Sequence, residues 1–328
     1  MPALWGLSGS KQERIQHFAD AAAFLSSAGP EAAFAVAWEP FPFSLSRTGL
    51  QTVLDLASAP GAQQVFPPVA RVRAVLVESE EVRGMNYLVH GTSISGFDLA
   101  GFNDLSPTRR AVWLPDLPHR LLSQPFTAWE LQLSDPQGAG GQDASLWARQ
   151  CNVPVVEAGT VDAIVYWLDT GDEVDSSGGW TCCPPSCGGP SVRDGKDLHR
   201  WQTAFFLRGS PGSDQAVRVA PGEPLQLRCT VADQGPDFAL GDRPADAGDT
   251  PALPPLLDYH APMLNDTARN AAYDKAITRA VQAASRDRRQ PPGGVRVLDI
   301  GSGTGLLGMM AARAAAGGSS EGGEDTEG

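Results

Sequence analysis

Val295-Arg-Val-Leu-Asp-Ile-Gly-Ser-Gly-Thr-Gly-Leu-Leu307 is the stretch that decides how this chain is read. Val295 to Ile300 is mostly apolar and predicts a strand. The strand runs into Gly301-Ser-Gly-Thr-Gly305, and a helix is expected from about Leu306 to Ala316. Alternating glycines let the backbone turn sharply and approach a ligand closely. The N-terminus of the following helix then faces that ligand. Dinucleotide sites favour a G-x-G-x-x-G spacing in this place. Here the spacing is G-x-G-x-G, with Asp299 just before it. The alternatives are a nicotinamide site and a strand–turn–helix that binds nothing.

Upstream, a helix is expected from about Asp266 to Ala284. Asp266 or Thr267 can cap it, and Tyr273, Ile277, Ala280 and Ala284 form a stripe. Gln234 to Pro255 is rich in Pro, Asp, Ala and Gly and reads as a linker. Downstream, Gly317 to Gly328 has too little apolar surface to fold and is expected to be disordered.

Further out, Lys11 to Leu25 carries helical periodicity, with Ile15, Phe18, Ala21, Ala22 and Leu25 on one face. Ala33 to Trp38 predicts a buried strand. Thr48 to Ala57 predicts a helix with Leu50, Val53, Leu54 and Ala57 inward. Strands are expected at Val72–Val77, Ala111–Leu114, Thr127–Leu133, Val161–Leu168, Thr203–Leu207 and Leu225–Val231. Trp129-Glu-Leu-Gln-Leu133 and Leu225-Gln-Leu-Arg-Cys229 alternate as half-buried strands do. Short strands of this kind suggest an antiparallel barrel or sandwich.

The net charge is −13. Such a chain does not condense on nucleic acid or an anionic membrane, and it suits an Arg- or Lys-rich partner. Acidity that only maintains solubility is the plainer account. No apolar run reaches the ~20 residues of a membrane span. The five cysteines are odd in number and no signal peptide opens the chain. A reducing compartment follows: cytoplasmic, with the nucleus as the second expectation. Cys182, Cys183 and Cys187 lie close together, but a structural zinc site needs about four ligands. A Pro/Gly/Ser-rich loop accounts for them better, and no metal is expected.

Leu298-Asp-Ile-Gly-Ser-Gly-Thr-Gly-Leu-Leu307 resembles the first motif of class I S-adenosylmethionine-dependent methyltransferases. Asp258-Tyr-His-Ala-Pro-Met-Leu-Asn-Asp-Thr-Ala-Arg-Asn-Ala-Ala-Tyr273 resembles the N-terminal helices of protein arginine methyltransferases. That resemblance implies S-adenosylmethionine as cofactor. Asp299, Gly301, Ser302, Gly303, Gly305 and Leu306 would hold it. Arg269 would pair with its carboxylate, and Met263 would pack near its sulfur. The substrate implied is an Arg-containing protein, with pairing of two copies or of two modules within one chain.

Weaker matches lie upstream: Pro67 to Ser79, Leu121-Leu-Ser-Gln-Pro125 running into Trp129, Val161 to Asp169, and Leu198 to Phe206 resemble parts of the family's barrel. In the family the barrel follows the cofactor domain, whereas here it precedes. The order resembles the two-module members, with one module ending and another beginning. The fold class expected is α+β, an antiparallel β-barrel or sandwich followed by an incomplete Rossmann-like methyltransferase segment. The divisions are 1–62, the end of a methyltransferase-like module; 63–233, the barrel; 234–257, a linker; 258–316, the start of an S-adenosylmethionine-binding domain; and 317–328, an acidic tail.

The family's chemistry uses two glutamates that grip the substrate guanidinium and orient it for in-line attack. Ala35-Val-Ala-Trp-Glu-Pro-Phe41 resembles the start of that loop, which makes Glu39 the catalytic candidate. The second glutamate should fall near Thr48, where there is none. The family's His-Trp pair is interrupted by Arg200 between His199 and Trp201. The function expected is protein arginine methylation, carried by a fragment. The alternative is a catalytically inactive barrel module for protein binding or dimerisation.

Overall fold

The computed structural model describes residues 4–8, 14–18, 21–28, 33–38, 45–133, 144–170, 181–189, 202–207, 217–241, 259–286 and 295–317. Its elements begin β1 (Leu4–Ser8), β2 (Arg14–Phe18), α1 (Ala21–Ala28), β3 (Phe34–Ala37), α2 (Arg47–Ala57), β4 (Ala62–Phe66), β5 (Val69–Glu78) and α3 (Glu80–Gly84). Next come β6 (Ser93–Ile94), β7 (Phe97–Asp98), β8 (Arg109–Val112), β9 (Arg120–Leu121), β10 (Phe126–Gln132), β11 (Ala148–Val153), β12 (Gly159–Val161) and β13 (Ala163–Asp169). The last are β14 (Gln202–Phe205), β15 (Val217–Val219), β16 (Leu225–Ala232), β17 (Gly235–Leu240), α4 (His260–Asn265), α5 (Thr267–Ser285) and α6 (Leu306–Gly317). Two compact units divide the chain: residues 1–82 with 108–249, and residues 83–107 with 250–328.

The first unit is built on an antiparallel sheet ordered β10-β5-β13-β14-β8, with β9 beside the end of β5. At its centre Val77 of β5 lies opposite Ala163 of β13, and Arg71 lies opposite Asp169. A second antiparallel sheet runs β11-β16-β17. Leu227, Cys229 and Val231 of β16 point into the same core as Val72, Ala74 and Leu76 of β5, Trp129 and Leu131 of β10, and Phe238 of β17. The Val, Leu and Phe side chains among them each contribute roughly 1.5–3 kcal/mol by leaving water. Trp129 is fixed further: its ring stacks on Trp147 at 6.4 Å, and its indole N–H donates to Leu146 O at 2.7 Å. Secondary structure is mixed helix and sheet, as expected. Of the barrel or sandwich expected, no closed barrel is found among the described residues. The main sheet keeps two edges, at β10 and β8.

Helix α2 follows its sequence pattern closely. Leu50, Val53, Leu54 and Ala57 are all buried, and Ser46 caps the helix by accepting from Gly49 N–H. The helix links β3 to β4, which pair in parallel. Of the strand expected at Ala33–Trp38, only Val36 is buried.

Three expectations are overturned. Lys11–Leu25 is not one helix, because Arg14–Phe18 is a strand and pairs antiparallel with Leu4–Ser8; helix begins only at Ala21. A local period of 3.6 loses to a hairpin that hydrogen-bonds both of its strands. The linker expected from Gln234 begins later, because Gly235–Leu240 pairs with Leu227–Ala232. Gly235 takes φ +107° at that turn, a conformation that favours glycine. Val295–Ile300 forms no strand and pairs with no described strand. Val297, Leu298 and Ile300 are 55%, 81% and 86% exposed. Apolar character alone cannot make a strand; its N–H and C=O groups need a lateral partner. The tail expected to be disordered lies outside the described residues beyond Gly317.

The second unit packs α4, α5 and α6 with residues 83–107. Leu88, Ile94 and Phe102 share a buried cluster with Ala261, Leu264, Leu306 and Met310. Val281 of α5 packs on Ala311 and Ala314 of α6.

Candidate functional site

The glycine turn adopts the geometry its spacing requires. Gly301, Gly303 and Gly305 all take positive φ, at +72°, +54° and +76°. L-residues with a Cβ pay about 1–2 kcal/mol there, so all three positions select glycine. Gly305 N–H donates to Ser302 O at 2.8 Å, and Met309 N–H donates to Gly305 O at 3.0 Å, opening α6. The first N–H groups of a helix have no partner in the preceding turn, which makes such a start receptive to an anionic or polar group. Gly301, Ser302 and Gly303 are exposed. A Cβ on Gly301 or Gly305 would meet nothing within 4 Å. The turn is therefore open to a ligand on those sides.

His260 stands beside this turn. A Cβ on Gly303 would come within 3.4 Å of His260 Nε2. Tyr259 packs edge-on against His260, with ring centroids 4.7 Å apart. The sequence placed His260 in the stretch that resembles the family but did not single it out as a site residue. Its position three residues before Met263 was the available signal.

Met263 lies half-buried in α4, and Leu306 is buried with Leu88, Ile94 and Phe102 in the apolar cluster. Asp266 follows α4 and caps α5, accepting from Arg269 N–H at 2.9 Å. The Arg269 guanidinium lies over the Tyr273 ring at 4.8 Å and donates to Asn270 Oδ1 at 3.4 Å. Asn270 is buried and donates to Leu264 O, tying α5 to α4. Asp299 turns one carboxylate oxygen inward. Its Oδ2 is buried without a hydrogen-bond partner among the described residues, next to Gly308, where a Cβ would approach it to 3.2 Å. Any side chain at 308 would crowd that oxygen. Between α5, residues 295–299 and α6 lies a cleft of about 440 Å³, lined by Ile277, Val281, Val297, Leu307 and Ala311 with Asp299.

In the first unit, Glu39 lies outside the described residues, as do His199, Arg200 and Trp201. Thr48, near which a second glutamate was looked for, is bound by a carboxylate from another element. Its N–H and hydroxyl both donate to Asp233 Oδ1, at 3.0 and 2.6 Å. The hydroxyl bond, with the N–H bond second, holds the Asp233 carboxyl below its ordinary pKa.

Burial first, then the neighbouring Cys187, pushes the Cys183 thiol up to about 12; burial pushes Cys187 up to about 11. Without a bound cation both favour the neutral thiol near neutral pH. Among the described residues no three His, Cys, Asp or Glu side chains gather as a metal site, and no helix is long and apolar enough to cross a membrane.

No family model matches the chain. Sequence relatives are found over short stretches. Protein arginine N-methyltransferase 7 of Oryza sativa subsp. indica is 57% identical over 63 residues, 19% of this chain and 8% of that protein. Arginine N(omega)-methyltransferase of Streptomyces achromogenes subsp. streptozoticus is 51% identical over 59 residues, 18% of this chain and 14% of that protein. Protein arginine N-methyltransferase 7 of Drosophila mojavensis is 36% identical over 93 residues, 28% and 11% of the two chains. This chain thus spans only a small part of the length of each relative. Among solved structures, a Trypanosoma brucei PRMT1 enzyme–prozyme heterotetrameric complex with AdoHcy aligns at 15% identity over 63% of this chain and 62% of that one, with a TM-score of 0.46. Over these stretches the chain is similar to arginine N-methyltransferases.

Proposed function

We propose that this chain carries the S-adenosylmethionine-binding start of a protein arginine N-methyltransferase module, and that the methyl group goes to an arginine of a protein substrate. The observation that carries this reading is the turn itself: three glycines at positive φ at the head of α6, with Gly301 and Gly303 exposed.

The residues present fit such a cofactor. It supplies an electrophilic methyl on a sulfonium. Gly301, Gly303 and Gly305 give it a turn of backbone without side chains, open beside Gly301 and Gly305, and Ser302 adds a hydroxyl. Arg269 supplies a guanidinium for its carboxylate, which would exchange the Tyr273 and Asn270 contacts for a charge-assisted pair. Met263 offers a polarizable thioether beside the sulfonium end. Leu306 contributes through its buried side chain, which anchors the first turn of α6. Asp299 brings a carboxylate whose inner oxygen has spare acceptor capacity. Glu39, in the preceding module, is the residue we assign to gripping a substrate guanidinium there.

We further read residues 1–62 and 63–233 as the end of one module and its β-domain, and 258–316 as the start of the next. Pairing of two modules, or of two copies, and a cytoplasmic or nuclear location belong to the same proposal. Titration of the 328-residue chain with S-adenosylhomocysteine tests it: saturable heat that Gly303→Arg abolishes supports it, and no heat overturns it.

A second reading is a β-module that binds protein without catalysis. It rests on Thr48 and Asp233. Asp233 spends its carboxylate on the start of α2, so it is not free to grip a guanidinium. Turnover on an Arg-rich peptide would exclude this reading.

A further inference from the structure

The loop beyond β13 gathers two thiols, a hydroxyl and an imidazole that the methyl-transfer reading does not use. Thr181 bridges to Asp169 at the end of β13. Cys182 N–H donates to Leu168 O at 3.2 Å, and Gln202 Nε2 donates to Cys182 O at 2.8 Å, so the loop is tied to the main sheet. Cys182 itself is buried. Pro185–Cys187 then makes one 3₁₀ turn. Gly188 takes φ +90°, and Gly189 N–H returns to Pro184 O at 3.1 Å. A Cβ on Gly189 would overlap Cys183 O, so the turn closes directly back on Cys183.

That closure brings Cys183 and Cys187 together. The Cys183 thiol donates to the Cys187 carbonyl oxygen at 3.5 Å. Both residues are half-buried, within reach of a small molecule. The Ser186 hydroxyl hydrogen-bonds the Cys187 thiol and stands 3.1 Å from His119 Nε2. His119 Nδ1 lies 2.6 Å from Leu117 O. A carbonyl only accepts, so Nδ1 carries the proton, and Nε2 of the neutral ring accepts from Ser186. A path for one proton thus runs from Cys187 through Ser186 to His119. Burial raises both thiols, and Cys187 and Asp169 add to the rise at Cys183. Ser186 draws Cys187 down, and Arg73 of β5 draws both down. A neutral thiol needs a base before it can attack, and the path supplies one.

We propose that Cys187 and Cys183 are a reactive dithiol, served by Ser186 and His119 as a proton relay, that small disulfides oxidise to an internal Cys183–Cys187 disulfide. The site does not depend on the cofactor reading. The Cys187 proton moves to Ser186 Oγ as the Ser186 proton moves to His119 Nε2. The Cys187 thiolate attacks one sulfur of the small disulfide, whose S–S bond breaks, and the departing thiolate takes the proton from His119. Cys183 Sγ then attacks Cys187 Sγ, the mixed disulfide breaks, and the second small thiolate takes the Cys183 proton. The protein's dithiol is oxidised to a disulfide, and the small disulfide is reduced to its thiols. Thiols of raised pKa are poor leaving groups, which keeps the internal bond once it has formed.

The test exposes the reduced 328-residue chain to glutathione disulfide at neutral pH and follows intact mass and free thiols against time. It uses wild type, Cys183→Ser, Cys187→Ser, Ser186→Ala, Ser186→Thr and His119→Ala. Wild type should lose the Cys183 and Cys187 thiols without keeping an adduct there, and fragmentation should join the two. Cys183→Ser should stop at a glutathione adduct on Cys187. Cys187→Ser should form neither product in this loop. Ser186→Ala and His119→Ala should slow the first step by about tenfold or more, and Ser186→Thr should restore it. The gap should close as pH rises toward about 11, where the Cys187 proton is lost without the relay. Cys183 and Cys187 that stay reduced in wild type, or a disulfide joining other cysteines instead, overturn the dithiol. Equal rates for wild type, Ser186→Ala and His119→Ala at neutral pH overturn the relay. Ser186 is exposed, so its alanine and threonine variants carry the comparison should His119→Ala not fold.

Discussion

His260 Nε2 lies 3.4 Å from the point where a Cβ on Gly303 would stand. The imidazole therefore closes one side of the glycine turn, while Gly301 and Gly305 face open space. Position 303 is constrained twice, by φ +54° and by this neighbour. Gly303→Ala should cost about 1–2 kcal/mol in local strain and weaken S-adenosylhomocysteine binding, with α6 retained by circular dichroism. Removing the imidazole with His260→Ala in the same variant should recover part of the loss, which calorimetry would read.

Among the described residues, Arg269 is held at its backbone by Asp266 and at its guanidinium by Tyr273 and Asn270. Arg269→Ala keeps the cap and should leave thermal stability within about 0.5 kcal/mol. It should weaken ligand binding by about 2 kcal/mol, roughly thirtyfold, if the guanidinium pairs with a carboxylate. Equal affinities for wild type and variant would remove Arg269 from the site.

Tyr166 gives a stability signature for the first unit. It is 2% exposed, and burial pushes its hydroxyl up to about 12 despite nearby Arg109 and a bond with Thr203. A raised folded value favours the neutral form in the folded state. That stability is fully present below the unfolded tyrosine value of about 10 and is lost as pH rises through about 12. Thermal melts from pH 8 to 12 should show the loss in wild type, and Tyr166→Phe should reduce its slope.

The start of α2 has the opposite pH dependence. The depressed Asp233 carboxyl contributes stability above the ordinary carboxylate range, lost as pH falls through its folded value. Ser46→Ala removes the neighbouring cap and should cost about 1 kcal/mol at all pH values. Asp233→Asn should flatten the acid limb alone, read by helix signal against pH.

The core of the second unit gives a packing test. Met310 is fully buried among Leu88, Phe102 and Leu264. Met310→Ala should cost about 2–5 kcal/mol and speed amide exchange in α4–α6, with β5 and β13 unaffected. A uniform change across both units would mean that they unfold together.

Features encoded within a few residues were readable in the sequence. Helix α2, strand β5, the alternation of β16 and the Asp266 cap all came from local pattern. The glycine turn did as well, because positive φ leaves glycine as the favoured residue. Features that depend on a partner far away were not readable. Arg14–Phe18 takes its conformation from Leu4–Ser8, and Gly235–Leu240 takes its from β16. Val295–Ile300 has strand composition without a neighbour to pair with among the described residues. Residues 83–107 looked like part of the β-domain. Their ties to α4 and α6 run through an asparagine and an arginine whose types are common on any helix.

The central claim is that the turn from Gly301 to Gly305 holds S-adenosylmethionine. Its most direct test is isothermal titration of S-adenosylhomocysteine into the 328-residue chain and its Gly303→Arg variant. The account predicts saturable one-to-one binding by the wild type and none by a variant whose circular dichroism matches it. Absence of binding by the wild type, or equal binding by the two, would contradict it.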